Sequence, residues 1–127
     1  MPYPASWAAI RPLVVEDEAP VALMLQGILR DIGFGEPVTV HSIAEAAGHL
    51  ARHPVDFAIV DLHLGGRMAL PLAADFLRRG VRFMFCTGAR KDAIPDEFLA
   101  VPVLRKPFTP EDLIAAIHAT LGPTDRS

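Results

Sequence analysis

Five short apolar runs punctuate the chain: Leu13-Val14-Val15, Val38 to Val40, Phe57-Ala58-Ile59-Val60, Phe83-Met84-Phe85-Cys86 and Val103-Leu104. Most are continuous rather than alternating, as expected of parallel strands covered on both faces. Between them the spacing changes to that of helix faces. Leu25, Ile28, Leu29 and Ile32 line one face of a helix over Ala19 to Ile32, with Gly33 as its stop. Ser42 and Glu45 form a capping-box pattern that opens a second helix, running to about Arg52 ahead of Pro54. Leu70 to Arg79 predicts a third, with Leu72, Phe76 and Leu77 inward and Gly80 ending it. Thr109 as N-cap and Pro110 at the first helical position open a last helix, whose apolar face is Leu113, Ile114, Ile117 and Leu121. Between Thr87 and Val103 lie Gly88, Pro95 and Pro102, and the apolar cluster there is Ile94, Phe98 and Leu99. That stretch predicts roughly one or two helical turns at most.

Strand and helix alternate throughout, which predicts an α/β fold, a doubly wound five-stranded parallel sheet with helices on both faces. The 127 residues suffice for one domain that buries roughly two thirds of the surface its unfolded chain exposes. Residues 12–122 are expected to form it. Residues 1–11, with Pro2, Pro4, Tyr3 and Trp7 and no clear period, read as an N-terminal extension on the surface with Trp7 docked. Residues 123–127 read as a C-terminal tail, with no output domain following.

Polar residues stand just past four of the runs. Glu16 and Asp17 follow the first, Asp61 the third, Thr87 the fourth, and Arg105, Lys106 and Pro107 the fifth. In an open α/β sheet, ligands bind outside the carboxyl ends of the strands. The pattern therefore gathers three carboxylates, a hydroxyl and an ammonium around one crevice, a set suited to a divalent cation and a phosphoryl group. Glu16, Asp17 and Asp61 are the oxygen donors Mg²⁺ prefers, and they repel one another without a cation. Lys106 is one of only two lysines in an arginine-favouring chain, beside Lys91. Its compact ammonium suits a site where a point charge reaches a phosphoryl oxygen or a carboxylate. Thr87 and the Gly88 amide supply donors for such an oxygen. Taken singly each has a plainer role: a solvated acid or helix cap, a surface lysine, a strand threonine. For Glu18 the plainer role is preferred.

Composition narrows the rest. A net charge of −3 without a basic run argues against nucleic acid as partner, and no apolar stretch approaches a membrane span. The first residues lack a signal-peptide pattern, and the single Cys86 has no partner for an internal disulfide, so a reduced cytoplasm is expected. Cys86 itself reads as a buried strand residue. His49 and His53 share a helix spacing but read as exposed helix-end residues.

The acidic pair in Val15-Glu16-Asp17, the Asp61 in Ile59-Val60-Asp61-Leu62, Thr87-Gly88 and Lys106-Pro107-Phe108 make the chain resemble a receiver domain of bacterial two-component response regulators, from about Pro12 to Leu121. Phe85-Cys86-Thr87-Gly88, Gly65-Gly66 and the run from Val101 to Phe108 are similar to the stand-alone "FAT GUY" type, with Cys86 in place of an alanine and Arg90 in place of a tyrosine. The resemblance implies a flavodoxin-like strand order 2-1-3-4-5 and a phosphoryl group taken onto Asp61 from a sensor histidine kinase or phosphotransfer protein. It also implies Mg²⁺ held by Glu16, Asp17, Asp61 and the main-chain carbonyl of His63, and phosphoryl oxygens held by Thr87, Gly88 and Lys106. Val103 stands where the family usually has an aromatic switch residue, so the response is expected to fall on Ala89 to Pro102. The chain would be no turnover enzyme, only a Mg²⁺-dependent self-phosphotransferase that also dephosphorylates itself. It would act as a monomer or weak homodimer, as relay, phosphate sink or protein-binding switch with a downstream protein target. The alternatives are a pseudo-receiver that keeps the fold without phosphate, a flavin or nucleotide binder, and an aspartyl phosphatase. Glu16-Asp17-Glu18 after the first strand counts against the nucleotide binder, and His63 against the phosphatase, which usually has an acid there.

Overall fold

A computed structural model describes residues 3–88 and 94–122. Five strands form one parallel sheet: β1 (Leu13–Val15), β2 (Val38–Val40), β3 (Phe57–Val60), β6 (Arg82–Thr87) and β7 (Val103–Arg105), in the order β2-β1-β3-β6-β7. Counted along the chain this is the 2-1-3-4-5 order. The register aligns Val15 with Val40 on one side and Val60 on the other, Val60 with Phe85, and Phe85 with Val103. The carboxyl ends of the central strands therefore finish level, and whatever follows each one emerges at the same edge.

Alternate strand residues feed two cores. Leu13, Val15, Ala58, Val60, Phe83 and Phe85 face α2 (Ile43–Arg52) and α3 (Leu70–Arg79). Val14, Phe57, Ile59, Met84, Cys86 and Leu104 face α1 (Ala19–Asp31) and α4 (Pro110–Leu121). Both faces being covered is why the runs are apolar at every position. Two caps act as residue type dictates. The Ser42 hydroxyl accepts from the Glu45 N–H at 3.0 Å, and Thr109 and Asp112 close a reciprocal capping box at 3.0 and 3.1 Å. The Glu45 carboxylate reaches past the cap residue and accepts from the His41 N–H at 2.7 Å.

Three features differ from expectation. Leu77 is 47% exposed, and Ala73 takes its place inside α3 beside Leu72 and Phe76. At about 100° per residue, Leu77 falls beyond the arc those three define. A two-stranded antiparallel hairpin, β4 (His63–Leu64) and β5 (Arg67–Met68), follows the third strand of the main sheet. Gly65 and Gly66 turn it with φ of 56° and 78°, the left-handed pair that a two-residue hairpin loop demands. Trp7 goes further than surface docking. It lies in a 3₁₀ helix over Ala5–Ala9 and is wholly buried, its indole stacked on Phe34 at 4.6 Å. Of the stretch expected to carry the response, residues 89–93 lie outside the described residues. In the remainder a 3₁₀ turn over Asp96–Phe98 seats Phe98 edge-on to Phe85 at 5.9 Å, Ile94 is buried, and Leu99 is 69% exposed.

Candidate functional site

Main-chain hydrogen bonds extend the sheet one residue past its strands and so place the polar groups. The Glu16 N–H donates to the Val40 carbonyl at 3.0 Å, the Asp61 N–H to that of Val15 at 2.9 Å, and the Lys106 N–H to that of Thr87 at 3.0 Å. Glu16, Asp61 and Lys106 are thus placed by the sheet's own ladder rather than by a loose loop. The crevice above has a volume of about 880 Å³, and Asp17, Asp61, His63, Thr87, Gly88 and Lys106 all border it. Glu16 lies beneath, 1% exposed. Val103 is half-buried on β7, packed against the α2/α3 core rather than at the crevice.

Lys106 is the electrostatic centre. Its ammonium donates to Asp61 Oδ2 at 2.9 Å, to Glu18 Oε1 at 3.0 Å and to Glu16 Oε2 at 3.1 Å. Burial works against its charge, but the hydrogen bonds to Asp61, Glu16 and Glu18 outweigh it and raise its pKa above the ordinary lysine value. It stays an ammonium at any physiological pH. Glu16 is pushed up to about 7, first by burial and further by the Asp61 charge, against the lowering effect of Lys106 and the Glu18 N–H. Glu16 Oε1 is buried without a hydrogen bond of its own, although Lys106 Nζ lies 3.0 Å away.

Between its ordinary 4.5 and about 7, native Glu16 holds a proton that the unfolded chain has already released. Glu16 therefore lowers the stability of the metal-free protein as pH rises through that window, and the loss is complete above it. Chemical denaturation of wild type and Glu16→Gln from pH 4 to 8 reads this directly. The expected result is a wild-type curve that falls relative to the variant between about pH 5 and 7.

The three acids suit a metal. One ligand oxygen from each of Glu16, Asp17 and Asp61 lies within 4.8 Å of the others, the one such group of three among the described residues. An all-oxygen set with a buried, unbonded carboxylate oxygen fits a hard divalent cation such as Mg²⁺. Asp17 is exposed but fixed, because its Oδ2 accepts from the Gly65 N–H at 2.9 Å across to the hairpin. Asp61 Oδ1 accepts from the His63 N–H at 3.1 Å.

Sequence reasoning missed three contributors. Glu18, read as a solvated or capping acid, makes no cap hydrogen bond and is joined to Lys106 instead. The imidazole Nδ1 of His41 sits 3.0 Å from the Glu16 carbonyl oxygen and braces that turn. Val21, Met24 and Phe108 give the crevice an apolar wall, for which the only signal was their closeness in sequence to Glu18 and Lys106. One plainer reading holds: Cys86 is buried, which pushes its thiol up to about 12. Of the two histidines at the end of α2, read as exposed, His53 is exposed but His49 is half-buried, and their rings pair at 4.8 Å.

No protein-family model matches the chain. It is 32% identical over 120 residues to the phosphate regulon transcriptional regulatory protein PhoB of Klebsiella pneumoniae, covering 89% of this chain and 52% of that protein. The chain thus spans about half the length of the curated relatives it matches. Among solved structures, SdrG of Sphingomonas melonis superposes with a TM-score of 0.78 at 34% identity, over 88% of this chain and 96% of that one. A CheY-like response regulator receiver domain from Methylobacillus flagellatus shares the fold, with a TM-score of 0.74 at 21% identity over 87% of this chain and 98% of its own. With the strand order, the acidic triplet at the sheet's carboxyl edge and the lysine that grips it, these likenesses place the chain in the family of receiver domains of two-component response regulators.

Proposed function

We propose that the chain accepts a phosphoryl group on Asp61 from a phosphohistidine of a sensor histidine kinase or phosphotransfer protein, and acts as a relay, phosphate sink or protein-binding switch. One observation carries this reading: Asp61 lies 5% exposed beside the carboxylates of Glu16 and Asp17, with its Oδ2 gripped by Lys106 at 2.9 Å. A carboxylate so surrounded stands ready as a nucleophile whose product charge is already countered. An Asp61 oxygen forms the new O–P bond as the donor's P–N bond breaks, and the donor imidazole leaves. Lys106, Thr87 and the Gly88 amide then hold the phosphoryl oxygens, the sheet edge having fixed their positions beforehand. Glu16, Asp17, Asp61 and the His63 carbonyl would hold Mg²⁺, which when bound neutralises charge on the transferring group. In dephosphorylation a water oxygen bonds to phosphorus as the Asp61 O–P bond breaks and inorganic phosphate leaves; His63, exposed, borders the crevice where that water would enter.

The direct test incubates the protein with Mg²⁺ and a small phosphodonor and looks for a base-labile phosphoryl adduct. No adduct there or with candidate kinases would reject the reading in favour of a module that keeps the fold without phosphate. A second variant separates metal binding from folding. Asp17→Ala removes an exposed side chain with one hydrogen bond, so its denaturation midpoint should stay near that of wild type. Its labelling should nevertheless be lost. Labelling at the wild-type rate would refute the metal assignment.

A further inference from the structure

We propose that Glu18 is a positioning residue: it occupies one of the three hydrogen bonds of the Lys106 ammonium and surrenders it to the phosphoryl oxygen. This rests on Asp61 being the phosphoacceptor. An ammonium has three donors. Here all three are committed, to Glu16, Glu18 and Asp61 at 2.9 to 3.1 Å, so an arriving phosphoryl oxygen has to displace a carboxylate.

The three are not equally displaceable. The Glu16 side chain is 1% exposed, where water cannot replace a lost counter-charge, and Asp61, at 7%, is the group that receives the phosphoryl and keeps it within reach of Lys106. Glu18 is 60% exposed and recovers hydration as soon as it lets go. Its surroundings suit that movement. The Glu18 N–H is pinned by Glu16 Oε2 at 3.1 Å, and its carbonyl by the Ala22 N–H at 3.0 Å, so its main chain stays put while the side chain swings. It also sits at the N-cap of α1 yet makes no side-chain cap hydrogen bond, where a shorter acid would normally make one. The extra methylene takes the carboxylate away from the helix end and onto Lys106. Glu18 thus keeps the ammonium aimed across the crevice before transfer and competes with the phosphoryl oxygen for it afterwards.

The test measures the affinity of beryllofluoride, a stable phosphoryl mimic, with Mg²⁺ present, for wild type, Glu18→Gln and Glu18→Asp. Glu18→Gln weakens the competitor by removing its charge. Glu18→Asp keeps the charge but shortens the reach and favours the helix cap. If Glu18 acts through Lys106, both variants bind the mimic about threefold to fivefold more tightly, the scale of a partly exposed ion pair. A gain in Glu18→Gln alone would mean only that a negative charge had been removed near an anion, and it would overturn the proposal, as would unchanged affinity in both. Wild type that neither binds the mimic nor accepts label would instead bring down the Asp61 reading, and this inference with it.

Discussion

Asp61→Asn is expected to take up no phosphoryl label from any donor, while folding as the wild type does. The substitution keeps the shape of a side chain that is almost wholly buried and removes the anionic oxygen that has to form the O–P bond. Folding survives because only one of the two oxygen-centred contacts changes character. An amide oxygen still accepts either from the His63 N–H or from Lys106, and Glu16 loses the neighbouring charge that raises it. Mass spectrometry before and after mild base, paired with a denaturation curve, separates lost chemistry from lost structure. Full labelling of a folded Asp61→Asn would place the acceptor elsewhere.

The second large effect lies far from the chemistry. Trp7→Ala should destabilise the domain by about 3–5 kcal/mol, a large share of the roughly 5–15 kcal/mol that holds a domain together. Trp7 is 0% exposed, stacked between Tyr3 at 5.7 Å and Phe34 at 4.6 Å, with the His118 ring tilted beside it at 5.1 Å. Truncation leaves a cavity bordered by Tyr3, Phe34 and His118, which come from separate segments of the chain and cannot readily collapse into it. Trp7→Phe should cost clearly less. It preserves a ring against Phe34 and removes an indole N–H that is buried without a partner, an omission that itself costs about 1–3 kcal/mol. Removal of residues 1–11 should be at least as damaging as Trp7→Ala. A truncated chain with an unchanged midpoint in guanidinium would show that these residues merely lie on the surface.

The parts legible from sequence were those in which one physical cause dominates. Val15, Val60 and Phe85 belong to runs that only a doubly covered strand explains, and the residues after them could emerge nowhere but at one edge. Glu16, Asp17, Asp61, Thr87 and Lys106 were readable for that reason, as chemistry appended to strand ends. The illegible parts depend on partners distant in sequence. Glu18 is joined to a lysine 88 positions away, and no local pattern distinguishes it from a solvated acid. Trp7 sits in a segment without periodicity, so nothing nearby shows which face it turns inward. The hairpin after Asp61 has two-residue arms, too short to alternate, and only its Gly65-Gly66 turn was a signal. Leu77 was misplaced by its neighbours, because a leucine next to Phe76 looks inward until the arc of α3 is drawn.

The Trp7 stack has a practical corollary. It sits where α1 ends, whereas the acidic crevice sits where α1 begins. A helix of 13 residues separates the two, a span of roughly 20 Å at 1.5 Å per residue. That exceeds the distance within which substitutions usually couple. The chain has one tryptophan, so its ultraviolet emission is a single-site reporter of the global transition, blind by position to events at the crevice. Variants of Glu16, Asp17, Glu18, Asp61 and Lys106 can therefore be ranked on one optical scale, and losses at the two poles should sum.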